Sequence, residues 1–186
     1  MEIPVRNKTT HEYRHAEKGN VKLTKLLNYK RMTQIKLNEN ILIEDNVVLR
    51  GDLAMIVVGR DSILGENAII HPSLNSDVQP FEYKTLSIGS FCFIGKNSII
   101  SSFKIGNYVY IGENCILSDR TKVGDNVKIL DNTYVPCDMQ LVEYGIYGGY
   151  PAQLLGTLNE DNSKYMEYFC NDYLHYRLSS LYINDK

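Results

Sequence analysis

Few side chains in this 186-residue sequence can do chemistry, and their spacing limits what they can do. The histidines are His11, His15, His71 and His175, and the cysteines are Cys92, Cys115, Cys137 and Cys170. Three converging imidazoles would hold zinc and leave a position open for water. A single imidazole could instead act as a general base toward a bound hydroxyl or amine. His11 and His15 stand four residues apart in a charged segment, a spacing that by itself makes a weak case for a metal site. The cysteines form no Cys-x-x-Cys pair, and Cys137 has no histidine near it in sequence to activate it. Widely spaced in a chain of this size, they read as reduced thiols of a cytosolic protein rather than a zinc ribbon or a secreted scaffold. Arg50 and Asp52, two apart on a strand, face the same side and can simply pair in a structural role. The sequence therefore predicts no catalytic, metal or cofactor site.

Composition narrows the classes further. A net charge of −2, from 20 basic and 22 acidic residues, makes no case for nucleic acid or an anionic membrane surface. Apolar residues at 44% and charged residues at 23% are ordinary for a globular chain, which excludes wholesale disorder. No apolar run approaches the roughly 20 residues that span a bilayer, and the polar start is no signal peptide.

The elements that position these residues follow from a repeat of six. Glycines 59, 65, 89, 95, 106, 112 and 124 each follow Ile, Leu or Val. In hexads the chain reads VGRDSI LGENAI, then IGSFCF IGKNSI, then IGNYVY IGENCI LSDRTK VGDNVK ILDNTY VPCDMQ. A short strand and a sharp bend, repeated, wrap a chain into a narrow prism. Position one points inward and stacks on its counterpart in the next coil. Position four must often take left-handed or otherwise unusual backbone at the corner, which Asn, Asp and Gly tolerate best, and Asn40, Asn46, Asp61, Asn67, Asn97, Asn114, Asn126 and Asn132 fall there. Position five has room for little volume and holds Ala68, Cys92, Ser98, Cys115 and Val127. The predicted fold is mainly β, a left-handed parallel β-helix of hexapeptide repeats. Helical repeats fail on the β-branched and Asn content, and a sandwich fails on the period.

The expected organisation is an N-terminal arm or cap over 1–36, the β-helix over 37–157 with a loop at 71–87, and a C-terminal helix over 158–186. Residues 37–141, less the loop, make about fifteen hexads or five coils. Besides the loop, the phase slips once, where Ile100 and Ile105 are five apart. Tyr165, Phe169, Tyr173 and Tyr176 form one stripe of the helix, and Met166, Cys170, Leu174, Leu178 and Leu181 the next. So apolar a helix packs either on the prism or on another chain. Thr157 and Glu160 match a capping box, with Asn162 or Ser163 as rival caps.

Several stretches carry a resemblance. RGDLAMIVVG (50–59) looks like the Arg-Gly-Asp strand of the γ-class carbonic anhydrases and their relatives, and GGYPAQLLG (148–156) resembles the exit of that branch before its helix. EYRHAEKGNVKLTK (12–25), IKLNENILIEDNVVLRGDLA (35–54) and KILDNTYVP (128–136) are closer to the pointed-end subunit 5 family of dynactin. This similarity covers almost the whole chain and weakens in the 71–87 loop and the helix.

The anhydrase pattern implies three ligand positions, held here by His71, Lys96 and Ser101. A protonated lysine repels a divalent cation and a serine is a poor ligand, so one imidazole remains and zinc is not expected. An acyltransferase-like enzyme would rest on His71 alone. The dynactin resemblance implies instead a non-catalytic structural subunit, cytoplasmic and cytoskeleton-associated, that supports dynein-driven transport along microtubules. It implies as partners dynactin subunit 6, the pointed-end actin-related protein, other pointed-end subunits and cargo adaptors, with no nucleic acid and no membrane insertion. Within the loop, Phe81, Glu82, Tyr83 and Lys84 set aromatics beside charge, the composition of a protein interface. The alternative is that Phe81 folds back over a corner of the prism.

Overall fold

In the computed structural model, which describes residues 22–23, 28–29, 34–75 and 79–184, each hexad forms a short strand and a bend. The strands stack into three sheets, giving the left-handed parallel β-helix that the repeat predicts, about six turns long with one C-terminal helix. One sheet, the helix face, runs from Lys22–Leu23 through Leu42–Ile43, Ile63–Leu64, Phe93–Ile94, Tyr110–Ile111 and Lys128–Ile129 to Gly145–Gly148. It ends in the antiparallel strand Gln153–Thr157. The aliphatic face holds Asn28–Tyr29, Val48–Leu49, Ile69–Ile70, Ile99–Ile100, Ile116–Leu117 and Tyr134–Val135. The basic face holds Ile35–Leu37, Ile56–Val58, Leu86–Ile88, Lys104–Ile105, Lys122–Val123 and Gln140–Leu141. Lys22 and Asn28 pair with Leu42 and Val48, so the end of the arm adds to the solenoid edge. His11, His15 and most of the 12–25 motif lie outside the described residues.

The register explains the core. Position-one residues stack in columns such as Leu64, Ile94, Ile111 and Ile129, all fully buried. Each such side chain contributes roughly 1.5–3 kcal/mol on leaving water. Position five is buried too, as at Ala68, Cys92, Ser98 and Cys115. Gly95 has no room for a side chain, because a Cβ there would sit 2.7 Å from the Glu113 nitrogen on the next coil.

All eight predicted Asn and Asp residues have φ between 54° and 60°. Phe91, Tyr108, Arg120, Asp138 and Tyr144 share that conformation. Left-handed backbone costs a bulky residue about 1–2 kcal/mol. At Phe91 and Tyr108 the offset is visible: their rings stack at 5.5 Å beside the C-terminal helix.

The three corners are not equivalent. Position-one residues are six apart across the corner from the basic to the helix face, from Leu37 and Ile43 to Leu141 and Tyr147. They are six apart again from the helix to the aliphatic face, from Ile43 and Leu49 to Ile129 and Val135. Every irregularity falls at the third corner, where Ile70 and Ile88 are eighteen apart and Ile100 and Ile105 five, and where Leu49 and Val58, nine apart, add a slip beyond the two expected from the sequence.

The helix, Asn162–Asn184, packs on the prism of its own chain. Met166 and Cys170 are buried with Leu42, Ile63 and Phe91, and Phe169, Tyr173 and Leu174 close the contact. Tyr165 and Tyr176, from the predicted stripe, are exposed instead. Thr157 ends a strand, so the Thr157 and Glu160 capping box is not formed, and the helix starts after Asp161. The Asn162 side chain is spent on docking: its Nδ2 donates to Asn126 Oδ1 at 3.2 Å and Tyr108 O at 3.3 Å.

Candidate protein-docking surfaces

The outward residue of each strand is position six of its hexad, and it differs by face. On the basic face it is Lys36, Val57, Ser87, Lys104, Lys122 and Gln140, a row suited to water. On the helix face it is Leu42, Ile63, Phe93, Tyr110, Lys128 and Ile146. The helix covers this row with an aromatic cluster: Phe93 stacks on Tyr110 at 5.1 Å and meets Phe169 edge-on at 5.3 Å. Polar contacts pin the helix along its length. Tyr108 donates to Glu167 at 3.2 Å, while Tyr173 donates to buried Glu44 at 2.9 Å. Glu44 also accepts from the Glu66 amide at 3.1 Å and pairs with Arg177 at 2.9 Å. Burial first, and then the Glu44 charge, push the Tyr173 hydroxyl up to about 12.

On the aliphatic face the outward row is Val48, Ile69, Ile99, Ile116 and Tyr134, paired in register from coil to coil. Among the described residues no element covers it, and all five side chains keep partial exposure, with Ile116 39% exposed. One edge of this face is a row of amides. Asn46 donates to Asn67, Asn67 to Asn97 and Asn97 to Asn114, at 3.1–3.2 Å. The other edge is the variable corner. The sequence reading missed this face, although the signal was present: the sixth residue of every third hexad is apolar.

The variable corner gathers the residues singled out from the sequence. Arg50 donates to Asp52 through Nε at 2.8 Å and through its terminal nitrogen at 3.0 Å. The hydrogen bond to Asp52, and then its charge, hold the guanidinium more firmly protonated. The loop is a short antiparallel hairpin of Leu74–Asn75 with Glu82–Tyr83. The Leu74 amide donates to Asp119 at 3.2 Å, and the Arg120 amide to Ser73 at 2.7 Å. Phe81 and Tyr83 are 58% and 42% exposed, Glu82 and Lys84 are exposed, and the Lys84 ammonium lies 5.1 Å from the Phe103 ring centre. Phe81 does not fold back as a lid.

The three anhydrase positions do not assemble into a ligand set. His71 Nδ1 lies 3.1 Å from the Pro72 carbonyl and Nε2 lies 2.6 Å from the Ser101 hydroxyl, so both ring nitrogens are engaged. Lys96 stands at the opposite edge of the aliphatic face and pairs with Glu113 at 3.3 Å. Among the described residues no group of His, Cys, Asp or Glu could hold a metal ion. Burial pushes the Cys92 and Cys170 thiols up to about 12 and raises Cys115 as well, so all three stay protonated. Cys137 is exposed. No helix among the described residues is long and apolar enough to cross a membrane.

Fold and surface together define a hexapeptide-repeat solenoid with one self-covered face and one apolar face that no described element covers. Solved structures agree on the fold. A hexapeptide transferase family protein from Anaplasma phagocytophilum aligns with a TM-score of 0.64 at 19% identity, over 80% of this chain and 89% of that one. PerB from Caulobacter crescentus, solved with CoA and GDP-perosamine, gives 0.56 at 15% identity, over 70% and 54%. At such identity only the fold carries over.

The dynactin subunit 5 family profile matches residues 1–180, and the chain belongs to that family. Dynactin subunit 5 of Dictyostelium discoideum is 35% identical over 68 residues, 37% of this chain and 34% of that protein. An uncharacterised protein of the same organism is 26% identical over 122 residues, 66% of this chain and 48% of its own length. The chain thus spans between a third and a half of these curated relatives.

Proposed function

We propose that the chain is a non-catalytic docking subunit of the dynactin pointed end, working in the cytoplasm on the cytoskeleton. The observation that carries this reading is the aliphatic face. An in-register apolar row along a flat sheet, covered by no element among the described residues, suits a second flat surface. Its partner is the related solenoid, dynactin subunit 6, set beside the pointed-end actin-related protein and the other pointed-end subunits. The hairpin, with Phe81, Glu82, Tyr83 and Lys84, then offers cargo adaptors a mixed aromatic and charged contact for dynein-driven transport. Arg50 and Asp52 brace the corner behind it. Acyl transfer with His71 as base is the weaker reading, because Ser101 engages the nitrogen that would take the proton.

The test is co-purification of tagged full-length variants with the other dynactin subunits. Ile99→Lys with Ile116→Lys should melt near the wild type and lose the solenoid partner. Phe81→Ala with Tyr83→Ala should keep that partner and lose adaptors. Full retention of subunits by the Ile99 and Ile116 variant would exclude the aliphatic face as the interface.

A further inference from the structure

The strand Gln153–Thr157 closes the helix face at the C-terminal end of the solenoid. It pairs antiparallel with Gly145–Gly148, and among the described residues no strand lies along its other side. Gln153, Leu154, Leu155 and Thr157 are exposed, with Leu154 at 53% and Leu155 at 60%. An open edge ordinarily carries a charge or a proline that blocks further pairing. The five residues Gln-Leu-Leu-Gly-Thr carry neither. Another apolar side chain lies beside the strand: a Cβ on Gly148 would sit 2.8 Å from Leu155 Cδ1 and 3.2 Å from Leu130 Cδ1. Leu130 and Leu155 therefore form one apolar shelf beside the edge.

We propose that this edge receives an extended, uncharged segment of a partner polypeptide as one more strand of the helix-face sheet. The chemistry selects the occupant. A row of backbone donors and acceptors is matched along its length by another extended backbone, and the leucines on the shelf select apolar residues at alternate positions. Area argues against a second copy. An edge of five residues is about 17 Å long, and contact along it falls far below the roughly 800 Å² per partner of a stable pair. A strand added within a larger assembly is held by other contacts and needs no such area. The inference concerns the end of the prism and is independent of what covers the aliphatic face.

Amide hydrogen exchange tests it, comparing the full-length chain alone with the chain in the assembly purified from cells. In the assembly, amides of 153–157 that do not bond to 145–148 should exchange about tenfold or more slowly. Leu154→Lys with Leu155→Lys should abolish that protection without lowering the melting temperature of the free chain. Because these variants keep Ile99 and Ile116, their subunit complement also shows whether the aliphatic contact stands on its own. Equal exchange in the free and purified states would overturn the proposal. Protection in the isolated chain, appearing with a concentration-dependent dimer that Leu155→Lys dissolves, would overturn it in favour of pairing between copies.

Discussion

Replacing Phe93 by alanine probes the difference between the faces most directly. The ring lies 5.1 Å from Tyr110 on the neighbouring strand and 5.3 Å and 5.6 Å from Phe169 and Tyr173 on the helix, so two aromatic contacts join prism to helix through one side chain and a third holds it within its own sheet. A fully buried Phe→Ala change costs about 3–5 kcal/mol. Phe93 is only half-buried, which lowers the transfer part, while each ring pair adds about 0.5–1.5 kcal/mol. The expected loss is about 2–4 kcal/mol, or roughly 5–15 °C in melting temperature for a chain of this size. Urea unfolding followed by circular dichroism measures it. Ile99→Ala occupies the same hexad position on the aliphatic face and should cost under about 1 kcal/mol in the isolated chain, and Lys104→Ala on the basic face under about 0.5. If Ile99→Ala proved as damaging as Phe93→Ala, the helix would not be what distinguishes the two faces.

Three further outcomes are expected. Tyr173, raised to about 12, favours its protonated form in the folded state, so its contribution is intact below about pH 10 and is lost as pH climbs toward 12. Melting curves across that window should flatten in Tyr173→Phe, and an unchanged alkaline slope would count against the contact with Glu44. Ile94→Asn and Ile111→Asn each set an amide in the dry axis, adding roughly 1–3 kcal/mol for unmet hydrogen bonds to the lost packing. A preserved melting temperature in either would contradict the hexad register. Gly95→Ala forces the stacked backbones apart and should destabilise the chain, where the same change at Gly156, open enough that an added Cβ meets only Ile146 Cδ1 at 4.0 Å, should be tolerated. Thermal melts of the pair decide it.

The repeat made the prism legible because one geometric demand recurs at each position. Branched aliphatics fall on the axis, small residues at position five, and Asn or Asp at the left-handed corners. Phe91 and Tyr108 were not legible as left-handed residues, since their conformation is stabilised by a helix some sixty residues later in the chain. The same distance hid the role of Asn162, which read as a helix cap and serves as a docking hook. Arg50 with Asp52 could be foreseen, being local. The bond from Ser101 to His71 could not, because it depends on how an irregular corner brings two coils together. The aliphatic face needed every third hexad to be read as a set, which only a three-sided prism justifies.

Two corners of the solenoid keep a fixed length from coil to coil, and the third takes five, six, nine or eighteen residues without disturbing the register on either side. The molecule therefore has a seam. Chain can be let out along it, since the next strand need only return to its rung, and a longer excursion adds little closure entropy. Stability resides in the two regular corners and the axis, while novelty accumulates along the seam. Extra chain can be inserted there, as the 71–87 hairpin illustrates, while the stacking that holds the prism is left alone. A solenoid organised this way can diversify its contacts without being refolded.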